Sequence, residues 1–260
     1  MNTPGWPRIG VDIGGTKIAA GRVEHDGTVS ARRVRATPAG SGSAAVLAAT
    51  VDLVRELAPG ATFVGVGAPG TVDTATGVIR AATALLPGWA GTPVGPAITD
   101  ATGLPALVDN DVNASALGEL RRGVAVGHDA VLYVSVGTGV GGAIALGGRL
   151  VRGARGVAGE IGHLAVPGPS SERPCGCGLF GHVEAVASGP AIEAAYELSG
   201  PDLREIARRA EQGDARAAAV IEHGAIALAA PWRAWCARSI PASWSSVVAW
   251  PASAPRSWTR

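Results

Sequence analysis

Residues 8–23 read RIGVDIGGTKIAAGRV: apolar residues alternate as far as Ile13, break at Gly14-Gly15-Thr16 and resume from Lys17. A period of two is strand patterning, and a glycine pair between two such runs folds the chain back on itself. A third run, TVSARRVRA from Thr28, follows the turn signal His25-Asp26-Gly27, so this region reads as an antiparallel meander. The first turn also has a chemistry. Two glycines let backbone N–H groups approach an anion closely, Thr16 adds a hydroxyl, Lys17 a positive charge, and Asp12 a carboxylate able to hold a hydrated cation beside phosphate oxygens. A plain glycine-rich hairpin with a capping Asp accounts for the same residues without any ligand. The Walker signature GxxxxGK[ST] is absent, and a strand rather than a helix follows the turn.

The same device returns at residues 130–146, AVLYVSVGTGVGGAIAL, where Thr138 stands between Gly137 and Gly139. One such turn is weak evidence, but two, each leaving a strand, are what a pair of jaws around a phosphate chain requires. The GxGxxG string from Gly137 to Gly142 runs on into strand patterning rather than a helix, which argues against a dinucleotide site. The recurrence points to two similar α/β halves, a smaller one over 1–108 and a larger one over 109–230.

Between the two turns, helical spacing from Ser43 to Ala58 predicts a helix with Ser41 or Ser43 as its N-cap and Pro59-Gly60 as its stop. A strand TFVGVGAPG follows, then a Gly-, Pro- and Thr-rich stretch from Thr71 to Pro96 that reads as a long loop, and a short helix near 94–102. The strand ALVDND ends in acids where a helix from Val112 to Arg122 begins. Asn110 and Asp111 therefore stand at a strand's carboxyl end, the usual ligand position in α/β proteins, where a carboxylate can take a proton from an attacking hydroxyl. Plain N-capping by Asp111 is the competing explanation.

Further on, GEIGHLAV and CGCGLFGHVE place His163, Cys175, Cys177 and His182 in an H…CxC…H set, soft and borderline ligands suited to a closed tetrahedral zinc site. Four protein ligands leave no open position, so the metal would be structural, pinning the loop that carries Glu160 and Glu184. Residues 183–230 are Ala-rich and periodic, reading as two or three helices.

The chain has 260 residues, 47% hydrophobic and 17% charged, with 22 basic residues against 21 acidic ones. That composition folds, and its interspersed, nearly balanced charge excludes the footprint of a nucleic-acid or anionic-membrane binder. No apolar run is long enough to span a bilayer and the N-terminus lacks a signal-peptide pattern, so a cytoplasmic protein is expected. Residues 231–260 differ in kind: they hold five of the seven Trp and four Pro, with no Gly, Leu, Asp or Glu. This atypical tail has the composition of a segment read in a shifted frame of a GC-rich gene, with an unusual Trp-rich tail as the alternative.

Taken in order, DIGGTK, GVGAPG (Gly65–Gly70), LPGW (Leu86–Trp89), DND, VGTGVGG, GEIGH and CGCG resemble the ROK family of sugar kinases and sugar-responsive repressors over about residues 8–230. The resemblance implies the two-domain actin/hexokinase-like (ribonuclease H-like) ATPase fold. It also implies transfer of the ATP γ-phosphate to the 6-hydroxyl of a hexose with magnesium on the phosphates, glucokinase-like and part of carbohydrate metabolism and glycolysis. Carried over residue by residue, it makes Asp111 the general base and Asn110, Glu160, His163 and Glu184 the sugar-binding set, with His163 also a zinc ligand. Gly14, Gly15 and Thr16 with Thr138 and Gly139 become the phosphate clamps, Asp12 and Lys17 join them in the cofactor-binding set, and Cys175, Cys177 and His182 complete the zinc set. Family members are commonly dimers or tetramers, so a homo-oligomer is expected. His182 stands where the family usually has a third Cys, and Leu85 where its glucokinases usually have Asn. Nothing in 231–260 matches the family's adenosine-covering turn, which leaves a sugar binder impaired in turnover as one alternative and an N-acetylmannosamine or N-acetylglucosamine kinase as another. A repressor of the same family would need a helix-turn-helix before DIGGTK.

Overall fold

The computed structural model describes residues 5–83, 86–197, 200–239 and 245–249, with side chains as far as Pro231. Leu85 and most of the atypical tail lie outside the described residues. The chain divides into two compact units, Met1–Ser115 and Ala116–Arg260.

In the first unit the expected meander is β1 (Arg8–Ile13), β2 (Lys17–Val23) and β3 (Val29–Ala36), joined by β4 (Val64–Ala68) and β7 (Ala106–Asn110) in one sheet of order β3-β2-β1-β4-β7. β1 pairs antiparallel with β2 and parallel with β4, and β4 pairs parallel with β7. Alternation sorts the side chains: Ile9, Val11 and Ile13 of β1 and Val64, Val66 and Ala68 of β4 are buried. They meet Val46, Leu53, Val54 and Leu57 of α1 (Ser43–Leu57) and Val94 and Ile98 of α2 (Val94–Thr102) in one core. Fully burying each such side chain stabilises by about 1.5–3 kcal/mol.

Two local expectations are corrected here. The N-cap of α1 is Gly42, which at φ 84° turns the chain into the helix without a side-chain bond, so neither Ser41 nor Ser43 caps it. The stretch 71–96 is not a continuous loop: β5 (Thr71–Asp73) and β6 (Val78–Ala81) form a two-stranded hairpin. Beyond it Trp89 is buried, its indole Nε1–H donating to the Pro69 carbonyl at 3.1 Å, so LPGW closes this unit's core.

β7 extends to Asn110, and the first turn of the next helix, α3 (Asp111–Arg122), rests on β4. A Cβ added at Gly67 would lie 3.2 Å from the Asp111 Cα and 3.4 Å from the Ala114 Cβ.

The second unit carries a four-stranded sheet of order β10-β9-β8-β11, built from β8 (Ala130–Val136), β9 (Val140–Leu146), β10 (Arg149–Val151) and β11 (Ser245–Ala249). β8 and β9 form the expected antiparallel pair, and β11, from within the atypical tail, adds parallel to β8. Where two or three helices are expected after residue 183, the described residues form four: α4 (Glu184–Ala187), α5 (Gly189–Tyr196), α6 (Leu203–Glu211) and α7 (Ala215–Ser239). Ser188 separates the first two by capping α5, its hydroxyl accepting from the Ala191 N–H at 3.4 Å. Among the described residues no helix is long and apolar enough to cross a membrane.

Candidate functional site

Within the first unit, β1, β4 and β7 lie side by side, and their register sets Asp12, Gly67 and Asp109 in one row at the carboxyl ends of the strands. The Gly14–Thr16 turn leaves that edge from β1, and Asp111 starts α3 just past β7. The first hairpin and the DND acids therefore share one end of one sheet. The turn closes with the Gly14 N–H on the Lys17 carbonyl at 2.9 Å. Thr37 braces it from behind: its Oγ1–H donates to the Gly14 carbonyl at 2.6 Å and its N–H to the Thr16 carbonyl at 3.0 Å. Nothing local in the sequence marks Thr37, because its partners are backbone atoms brought near by the meander. Asp12, Thr16 and Lys17 are exposed. Local desolvation holds the Asp12 carboxyl above the ordinary carboxylate range, while the Lys17 ammonium pulls it back down.

Asn110 has two jobs. Its side-chain oxygen accepts from the Val112 N–H at 2.9 Å and the Asn113 N–H at 3.1 Å, which is N-cap geometry for α3. Capping thus falls to Asn110 rather than to Asp111. The Asn110 Nδ2 donates to the Gly70 carbonyl at 3.2 Å and to Asp111 Oδ1 at 3.0 Å. Asp111 Oδ1 also accepts from the Val112 N–H at 3.0 Å, so one carboxylate oxygen is oriented by neighbours at the start of a helix, where negative charge is favoured.

Within the second unit, the Gly137–Gly139 turn closes with the Gly137 N–H on the Gly139 carbonyl at 2.8 Å, leaving Thr138 exposed. Its outside braces are distant in sequence. The Gly189 N–H donates to the Gly137 carbonyl at 2.8 Å, and Glu184 Oε2 accepts from the Val140 N–H at 3.0 Å. The GEIGH segment crosses β9 backbone against backbone: a Cβ at Gly142 would lie 2.7 Å from the Gly159 carbonyl oxygen, and one at Gly159 2.6 Å from that of Gly142. That crossing brings Glu160 and His163 beside Glu184. Glu160 is held above the ordinary carboxyl range mainly by burial, with His163 lowering it and Glu184 raising it further.

His163, Cys175, Cys177 and His182 gather as a candidate metal centre, their ligand atoms all within 4.8 Å of one another. His163 Nδ1 lies 3.8 Å from Cys175 Sγ, and His182 Nδ1 3.3 Å from Cys177 Sγ. Isolated bridges Ala165–His182 and Pro174–Phe180 hold the loop in place. Burial raises the Cys175 thiol, the Cys177 backbone N–H pulls it back down, and the Cys177 side chain and Glu184 push it up again.

Comparison with known proteins gives these residues a context. The model of the ROK family matches residues 8–234. A glucokinase of Thermotoga maritima is 34% identical over 227 residues, 79% of this chain and 70% of that protein. An N-acetylmannosamine kinase of Citrobacter koseri is 39% identical over 227 residues, 84% of this chain and 74% of that protein. Among solved structures, a ROK family glucokinase from Streptomyces griseus in complex with glucose and AMPPNP superposes with a TM-score of 0.81 at 32% identity, covering 94% of this chain and 83% of that one.

Proposed function

This chain belongs to the ROK family and has the actin-like ATPase fold of its sugar kinases, and on that premise we propose that it moves the γ-phosphate of ATP to the 6-hydroxyl of a hexose, glucose first. The observation that carries the reading is the shared strand-end row of the first unit, in which an exposed glycine-threonine hairpin and an oriented carboxylate occupy one edge of one sheet. Phosphoryl transfer asks mainly for positioning and charge neutralisation, which is what these residues offer. Gly14, Gly15 and Thr16 on one hairpin and Thr138 and Gly139 on the other grip the phosphates, with Lys17 adding positive charge. Asp111 takes the proton of the sugar hydroxyl as its oxygen attacks the γ-phosphorus, the bond to the β,γ-bridging oxygen breaks, and ADP departs. Asn110, Glu160, His163 and Glu184 hold the sugar. Asp12, an exposed carboxylate beside the first hairpin, would hold a hydrated magnesium ion, which supplies charge neutralisation on the phosphates.

The Cys/His cluster fits zinc. Bonds of about 2.3 Å to sulfur and 2.0–2.1 Å to nitrogen in a tetrahedron place neighbouring ligand atoms about 3.3–3.8 Å apart. The Cys175–His163 and Cys177–His182 pairs stand at 3.8 and 3.3 Å. Such an ion would stabilise the loop between GEIGH and α4 and take no part in turnover. Replacing a thiolate by His182 keeps a good ligand.

A second sugar is supported by one observation: the identity to the Citrobacter N-acetylmannosamine kinase, 39%, exceeds the 34% to the Thermotoga glucokinase. An ADP-release assay with ATP and a panel of glucose, mannose, N-acetylmannosamine and N-acetylglucosamine separates the two. Release dependent on glucose establishes the first reading, release with an N-acetylated sugar alone establishes the second, and none with any sugar, despite measurable sugar binding, leaves a binder.

A further inference from the structure

Glu184 belongs to the proposed sugar-binding set, but its hydrogen bonds lead to the phosphate side. Its Oε2 accepts from the N–H of Val140, the residue that closes the second hairpin, at 3.0 Å. Gly139, one residue earlier, leaves room for that oxygen: a Cβ at 139 would stand 2.5 Å from Glu184 Oε2. The other oxygen, Oε1, lies 3.9 Å from Cys175 Sγ on the metal loop. The hairpin itself has its Gly137 N–H closed on Gly139 and its Gly137 carbonyl taken by Gly189, so Thr138 is the exposed tip of a turn braced at both ends.

We propose that Glu184 is the positioning residue of the second hairpin: its carboxylate fixes the Gly137–Val140 turn for nucleotide phosphates and ties that turn to the start of α4, just beyond the Cys/His loop. This rests on the kinase reading above for what the turn binds. A carboxylate bonded to a backbone N–H is a stronger brace than a neutral acceptor. It also consumes the Val140 N–H and fixes the turn's direction before ligand arrives, so the ordering cost is not met at binding.

The test compares Glu184→Ala, Glu184→Gln and Gly139→Ala in the full chain, with metal content measured in each. AMPPNP affinity is measured by calorimetry without sugar, and Val140 amide exchange by NMR. Glu184→Ala is expected to speed Val140 exchange and weaken AMPPNP about three- to tenfold, the size of one hydrogen bond. Glu184→Gln, whose carboxamide oxygen accepts the same bond more weakly, is expected to recover part of both, while the two variants alike raise the KM for sugar. Gly139→Ala presses on the same oxygen without removing it and is expected to weaken AMPPNP with metal retained. Unchanged Val140 exchange and AMPPNP affinity in Glu184→Ala overturn the proposal. If Glu184→Ala loses its metal or fails to fold, wild-type AMPPNP affinity in Gly139→Ala overturns it instead. Should the unmodified chain bind no AMPPNP, the kinase reading fails, while Val140 exchange still decides whether Glu184 braces the turn.

Discussion

The two glycine-threonine hairpins have nearly the same sequence chemistry and opposite means of support. The first, Gly14–Lys17, is braced by Thr37, which stands at the end of the strand paired with its own second arm. The second, Gly137–Val140, is braced by Glu184 and Gly189, from the helices that follow the Cys/His loop. One turn is therefore an outgrowth of a local meander, and the other is conditional on long-range packing. The first leans on strands of its own sheet, whereas the second leans on helices that follow a loop whose four gathered ligand atoms suit a metal ion.

That contrast can be broken or sharpened by experiment. The largest effect belongs to the acid both turns would serve: Asp111→Ala should lower kcat about 10²–10⁴-fold with sugar binding by calorimetry still measurable, since a general base contributes on that scale. A variant that retains full turnover would leave both hairpins without a reaction to serve. Next comes metal removal. Cys175→Ser, or prolonged chelation, should weaken AMPPNP and speed amide exchange around Val140 while leaving the Gly14–Lys17 turn protected as before. Equal loosening of both turns would erase the distinction drawn above.

A smaller effect should mark the local brace. Thr37→Val removes the 2.6 Å bond to the Gly14 carbonyl and should cost about 0.5–1.5 kcal/mol in denaturant unfolding, with no change in metal content. The smallest effect is electrostatic. Because local desolvation outweighs the pull of Lys17 and raises the Asp12 carboxyl, the native state holds that proton more tightly than the unfolded chain. The stability it contributes is complete below the ordinary carboxylate range and lost as pH rises through the raised value. Asp12→Asn should thus match the unmodified protein in acid and be slightly more stable at neutral pH, at the expense of turnover. Unfolding midpoints across pH check the sign.

Much of this arrangement was legible in the sequence where period and turn chemistry agree. β1, β2, β8 and β9 announced themselves by alternation around glycine turns, and α1, α2 and α3 by apolar spacing. The hairpin of β5 and β6 did not, since three- and four-residue strands are too short to show a period among so many Gly, Pro and Thr. α4, four residues long, is likewise too short to show a helical period of its own. Residue types alone pointed to the Cys/His set, because few other uses gather two thiols and two imidazoles so closely. The Asn110 cap was misassigned by one residue, since Asn and Asp both cap well and stand adjacent. The bond from Val140 to Glu184 had no local signature at all, its partners lying 44 residues apart. Carboxylates in a motif advertise charge; which backbone N–H they meet is settled by packing.

Lys17, exposed where the first hairpin enters β2, is the single lysine of the 260-residue sequence. Apart from the chain's own amino terminus, every amine-directed reagent therefore has one address, the rim of one turn. A fluorophore or an isotopic methyl group attached there would report on that turn alone, against a background with no other side-chain amine.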